Sequence, residues 1–96
     1  MIKPTIGRRV WYWPSDYDKK TMATHGSQPC DAGICYVWND RLVNLSVADH
    51  NGVTHSRTSV QLKQDVDAIF DGVAFAEWMP YQVASAAKDA LSSTEG

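Results

Sequence analysis

The sequence predicts a mainly β fold: a small meandering barrel of about five strands with a short C-terminal helix. Three observations predict it. The stretch 36–62, YVWNDRLVNLSVADHNGVTHSRTSVQL, alternates apolar and polar residues and is broken by two tight turns. Two further β-rich runs, GRRVWYWP and VAFAEWM, flank it, and each stops at a proline, which has no N–H to give a ladder. The chain has 96 residues, enough for one domain with a small core, and closing short strands into a barrel removes the open edges of so small a sheet.

The first strand is expected at 7–14. Val10 and Tyr12 point to one side, Trp11 and Trp13 to the other, so both faces are apolar or aromatic. Residues 15–32 are polar, lack periodicity and contain Gly26 and Pro29. They read as a long loop, and loops of that length in compact domains are commonly functional. GICYVW, 33–38, is a second strand rich in β-formers. Asn39 and Asp40 make a two-residue turn into a third strand at 41–49, where Val43, Leu45 and Val47 share one face and Asn44, Ser46 and Ala48 the other. Asn51-Gly52 supplies the positive φ angles of a type I′ hairpin. The fourth strand, 53–62, then places Thr54, Ser56, Thr58, Val60 and Leu62 on one side and Val53, His55, Arg57 and Ser59 on the other.

A polar connection follows, with Val66, Ile69 and Phe70 as anchors, and a last strand at 73–79. YQVASAAKDAL, opening after Pro80, repeats Val83, Ala87 and Leu91 at helical spacing. The single domain is thus expected over 1–91, with SSTEG, 92–96, a disordered tail. Strand parity assigns Val10, Ile34, Val43, Leu45, Val47, Val60 and Phe75 to the core. One long loop after the first strand, then two tight turns, is the order of an SH3-like barrel.

A formal net charge of −2 provides no general attraction to nucleic acid or to an anionic membrane. No apolar run approaches the roughly 18 residues of a membrane span. MIKPTIGRRVWYW has no apolar segment after its charges, so no secretory signal is expected and an intracellular site is. Cys30 and Cys35 are expected as free thiols, one of them buried. Their spacing is not that of a zinc knuckle, even with His25, His50 and His55 in the chain, so no metal or cofactor is expected. There is no Gly-rich phosphate loop and no HExxH. Acid–base catalysis needs at least two placed groups, and none stand out, so the expected role is non-enzymatic.

Eight Trp and Tyr residues exceed what so small a core absorbs, which leaves rings for the surface. Arg57, beside Thr58 and Ser59, can hold an anion by charge-assisted hydrogen bonds. Arg41 is expected near it across the hairpin, and two like charges brought close would imply an anionic ligand. The expected binding surface therefore comprises Arg57, Arg41, Trp38, Trp13, Tyr36, Trp78, His55 and Ser59. Stacking plus charge suits a nucleotide-like small molecule; the same rings suit an interface with a host protein. A homo-oligomer is expected, because one small barrel offers only a shallow pocket.

Three segments, KPTIGRRVWYWP (3–14), VWNDRLVNLSVADHNGVTHSRTSV (37–60) and EWMPYQ (77–82), together resemble a group of small proteins encoded in tailed bacteriophages and prophages. They cover close to half the chain. The group brings no catalytic residues, so the resemblance assigns no residue a role. It implies a context: a phage accessory protein in the host bacterial cytoplasm, of a size class that binds a host protein or sequesters a host defence molecule. Joined to the surface above, the first reading is a protein that sequesters a nucleotide-derived defence signal. The alternative is an inhibitor of a host factor or a virion-associated adaptor, and the third a nucleic-acid-binding barrel with a local basic patch.

Overall fold

In the computed structural model, the alternating runs become five strands and the flanking segments two helices. The structure describes residues 1–66 and 68–95, with 89–95 as backbone only. The elements are β1 (Arg9–Trp13), α1 (Asp16–Thr21), β2 (Cys30–Asn39), β3 (Leu42–Ala48), β4 (Thr54–Lys63), β5 (Phe75–Glu77) and α2 (Pro80–Glu95). The strands close into a barrel in the order β1-β2-β3-β4-β5. β1 to β4 pair antiparallel in sequence, and β5 pairs antiparallel with β1. The closing β4–β5 pair is parallel, Gln61 opposite Phe75 and Lys63 opposite Glu77.

The interior is built from branched aliphatic residues and alanines plus two rings. Val10, Tyr12, Ala32, Ile34, Val43, Leu45, Val47, Val60, Leu62, Ala76 and Trp78 are all buried. Phe75, expected inside, lies half-buried on the outer face, and its neighbour Ala76 points inward instead. Outside, Phe75 stacks on Phe70 at 4.7 Å and on its cross-strand partner Trp13 at 6.4 Å, and Trp11 meets Trp13 edge-on at 6.2 Å. This row of rings explains the two-sided aromatic character of β1: one parity fills the barrel, the other seams β1 to β5.

Three irregularities turn the long strands around the barrel. In β2 the register skips Cys35 between Ile34 and Tyr36, and Trp38 between Val37 and Asn39. In β4, Val60 faces Val43 and Arg57 faces Leu45, so Thr58 and Ser59 together oppose Asn44. Ser59 takes φ 52°, the left-handed region that side chains rarely adopt. Each such bulge bends its strand and resets which residues face in. The alternation read from sequence therefore fails within β4. His55 and Arg57 share the inner side with Val60 and Leu62, opposite the buried Val47 and Leu45.

Other boundaries move for local reasons. The first hairpin turns on Asp40-Arg41, one residue later than expected, because the Asn39 side chain accepts the Arg41 N–H at 2.8 Å. The second hairpin is not type I′, since Gly52 has φ 85° and Asn51 lacks positive φ. Asp49 O accepts the Gly52 N–H and Asp49 N–H donates to Val53 O, each at 2.9 Å, the pattern of a three-residue loop whose glycine forms a bulge. The expected loop 15–32 contains α1 and the first three residues of β2, which leaves 22–29 as the connection. Helix α2 runs to Glu95, past Leu91, so the expected tail is helical at 92–95; Gly96 and the Leu91 side chain lie outside the described residues. Among the described residues, the hydrogen bonds that tie α2 to the barrel lie at its start: Gln82 donates to Arg9 O at 2.9 Å and accepts the Met79 N–H at 2.7 Å. The molecule measures 50 × 24 × 21 Å.

Leu45 is 2% exposed at the centre of β3. Leu45→Ala should cost about 2–5 kcal/mol, measured by urea unfolding. A loss under about half a kcal/mol would mean the barrel interior is not packed around β3.

Candidate functional site

The inward-facing polar side chains of β4, His55 and Arg57, need partners, and the chain provides a carboxylate for each. Ser15 caps α1: its hydroxyl accepts the Asp18 N–H at 3.1 Å, and Asp18 Oδ2 accepts the Ser15 N–H at 3.1 Å. That reciprocal pair is a capping box with Asp in the place where Glu or Gln is usual. The same buried carboxylate accepts the Tyr12 hydroxyl from β1. Its second oxygen receives Arg57 from β4, Nε at 3.1 Å and Nη2 at 3.0 Å. A six-residue helix has no stability of its own, so α1 is held over this barrel mouth by Asp18 and by the buried Met22 beyond it.

The electrostatics fix all three groups in one protonation state. Burial alone would raise the Asp18 carboxyl, but the hydrogen bonds from Tyr12 and Ser15 and the charge of Arg57 outweigh it and hold it below its ordinary value. Burial, then the bond to Asp18, pushes the Tyr12 phenol above its ordinary range. Burial works against the Arg57 cation, and the Asp18 charge more than compensates. No member of the group exchanges a proton near neutrality, so the trio is a clamp between β1, α1 and β4.

A second carboxylate serves the adjacent hairpin. Asp49 Oδ1 accepts the N–H groups of Asn51 at 2.9 Å and Val53 at 3.0 Å, while Oδ2 meets His55 Nε2 at 2.8 Å. The His55 bond lowers the Asp49 carboxyl most; burial opposes it, the backbone donors assist, and the result is about 2. His50 then ties the 22–29 connection to the hairpin. Its N–H donates to Ala23 O at 2.9 Å, its Nδ1 accepts the His25 N–H at 2.6 Å, and its Nε2 meets Pro29 O at 3.1 Å. With Nδ1 accepting, Nε2 is the ring nitrogen that donates to Pro29 O.

The outer face of β2–β4 is different in kind. Trp38 is 56% exposed and Tyr36 47% exposed, packed edge to face at 4.9 Å. Asn44 Oδ1 accepts both the Trp38 indole N–H at 2.9 Å and the Ser59 backbone N–H at 2.8 Å. One amide in β3 thereby fastens the ring of β2 and fills the bulge of β4. Exposed Ser56, Thr58 and Gln61 continue the surface, which is rich in hydroxyls and amides around two fixed rings.

The residues expected to form one surface divide among several places. Tyr36, Trp38 and Ser59 meet around Asn44. Arg57 and His55 sit at the barrel mouth, each on a buried carboxylate. Arg41 lies in the first turn, paired with Asp65 at 2.8 Å, five positions along β4 from Arg57 at the level of Leu62, or on the order of 15 Å. The expected convergence of the two arginines is therefore not formed: the register sets them apart, and each has its own counter-ion. Trp13 is half-buried in the outer aromatic row, and its indole N–H finds no acceptor among the described residues. Trp78 is buried, donates to Gln64 Oε1 at 3.2 Å and carries the Arg8 guanidinium 5.1 Å above its ring.

Sequence reasoning missed Asp18 and Asp49, the residues that decide what Arg57 and His55 do. The signals were present: Ser15-x-x-Asp18 is a helix-start pattern, and Asp49 stands where a side chain can accept turn N–H groups. Cys30 is buried, which pushes its thiol up, and Cys35 is exposed; both are free. Among the described residues no group of three or more His, Cys, Asp or Glu could hold a metal ion. No helix there is long and apolar enough to cross a membrane. No protein-family model, curated protein or solved structure matches the chain.

Asp18→Asn should destabilise the fold by about 2–3 kcal/mol, the low end for breaking a buried pair because Arg57 keeps some solvent. Asp31→Asn, which breaks the exposed Arg9–Asp31 pair, should cost about 0–1 kcal/mol. Equal losses in chemical unfolding would contradict the clamp. Both Asp18 and Asp49 titrate lower in the folded chain than their unfolded value near about 3.9. The unfolded state thus binds protons first, and stability should be full above about pH 4 and fall as pH drops towards about 2. Circular dichroism melts across that window should show Asp49→Asn flattening the decline; an unchanged slope would remove Asp49 from it.

Proposed function

We propose that the chain is a non-enzymatic binding protein that docks a partner protein on the Tyr36–Trp38 face of β2–β4. One observation carries the reading: two large rings stand about half exposed on strands, and Trp38 is fixed in place by Asn44 rather than left mobile. Fixed Trp and Tyr side chains lose little entropy on binding and are the usual energetic anchors of interfaces. The exposed Ser56, Thr58 and Gln61 around them are uncharged, so covering them with hydrogen-bonding groups costs less than covering charges would. Barrel closure leaves this sheet surface, rather than an open edge, for recognition. In the context implied by the phage resemblance, the partner is a host factor or a virion component in the bacterial cytoplasm. A homo-oligomer stays within the proposal, and sedimentation velocity on the purified chain decides it.

The nucleotide reading expected phosphate contacts from Arg41 and Arg57. Both are neutralised by carboxylates, so this face recognises apolar and hydrogen-bonding surface. A nucleotide-derived ligand is favoured by a different arginine, Arg8, whose cation is stacked on Trp78.

Tyr36→Ala with Trp38→Ala removes the rings without touching the interior, so the double variant should keep the wild-type melting temperature to within a few degrees, about the shift expected of surface changes. Crosslinking in infected cells should give a partner protein with the wild type and lose it with the double variant. A partner retained at full yield by the folded double variant would place the interface elsewhere.

A further inference from the structure

The four arginines of the chain differ in one respect. Arg9 is held by both oxygens of Asp31, Arg41 by Asp65 and Arg57 by Asp18. Arg8 pairs with no carboxylate and its guanidinium bonds no acceptor among the described residues. It is nonetheless held in place, centred 5.1 Å over the ring of the buried Trp78. Stacking on an indole covers the face of a guanidinium and leaves the N–H donors around its edge available.

Arg8 lines a cleft of about 360 Å³ between the entry to β1 and the first two turns of α2. Arg9, Tyr81, Gln82 and Ser85 share the lining, with Ile2 and Ala86 as its apolar part. Gln82 is buried and anchored to both Arg9 O and Met79 N, so the wall carrying Tyr81 and Ser85 keeps its place relative to β1. Tyr81 is 66% exposed, so its ring is open to a ligand in the cleft. The first turn of α2 has no acidic side chain, and the one lining cation already neutralised is Arg9, so Arg8 sets the local charge. The volume lies in the range of small-ligand sites.

We infer that this cleft binds a small anion bearing a planar ring, of the nucleoside monophosphate class, with the anionic group on the edge of Arg8 and the ring against Tyr81. The phosphate receives charge-assisted hydrogen bonds from a cation that the indole already positions beside the cleft. The ring receives a stacking surface, and the Ser85 hydroxyl is a further donor or acceptor at the wall. The site shares no residue with the Tyr36–Trp38 face and does not rest on a partner protein docking there.

Calorimetric titration of the purified chain with adenosine 5′-monophosphate tests it, alongside adenosine and inorganic phosphate. Saturable binding of the nucleotide is expected, tighter than either fragment. Arg8→Gln should weaken it about tenfold or more, and Tyr81→Ala should weaken it while leaving inorganic phosphate unchanged. Amide shifts in NMR should centre on Arg8, Gln82 and Ser85. Arg41→Gln and Trp38→Ala, both outside the cleft, should bind as wild type. Absence of saturable nucleotide binding, equal weakening by Arg41→Gln, or inorganic phosphate binding as tightly as the nucleotide would overturn the inference. Loss of a partner protein in the Trp38 variants would not bear on it.

Discussion

The carboxylate of Asp18 is the point on which this small barrel turns. It receives a hydroxyl from β1, a guanidinium from β4 and the backbone of its own helix cap, so three segments distant in sequence share one anion. Removing any of those partners would leave a buried polar group short of a bond, which costs more than the bond itself contributes. The geometry is also directional. A carboxylate with a phenol on one oxygen and an arginine fork on the other admits little rotation, and α1 is fixed in orientation as well as position. Hydrophobic contact through Met22 would hold the segment down without specifying how it lies.

The stretch from β2 to β4 is organised around a different problem, that of wrapping ten-residue strands around a narrow interior. Bulges solve it, and each bulge leaves a backbone group in need of a partner. At Ser59 that partner is Asn44, whose side-chain oxygen stands in for a ladder carbonyl and fixes Trp38 as well. The features proposed for recognition are thus by-products of folding requirements. A ring is exposed because the strand bends there, and it is held rigid because the bend needs an amide nearby.

Much of the architecture was legible because it depends on local pattern. Strand positions, the hairpin at 49–53 and most of the core follow from alternation and turn residues, and Val10, Ile34, Val43, Leu45, Val47 and Val60 fall where parity puts them. What failed was parity across an irregularity. Thr58 and Ser59 carry no mark of a bulge, and without it Arg57 and His55 read as outward and available. Short helices also escape periodicity, so α1 was invisible except through its cap. The parallel closure by β5 depends on long-range packing that no local signal encodes. Of the expected site, the rings Tyr36 and Trp38 with Ser59 were legible as neighbours, whereas the arginines were misplaced because their counter-ions, Asp18 and Asp65, lie far away in sequence.

The bulge at Thr58–Ser59 also governs how the chain can vary in length. Side chains on a strand alternate with a period of two, so removing one residue there would rotate everything between the second hairpin and the deletion by half a turn. His55 and Arg57 would swing to solvent while Thr54 and Ser56 turned inward, and two buried aspartates would face hydroxyls in place of an imidazole and a guanidinium. The spacing between Arg57 and Val60 is therefore under tighter constraint than the identities of the two residues that fill it. Substitutions at those positions alter a surface; a one-residue insertion or deletion exchanges the inside of the barrel for its outside.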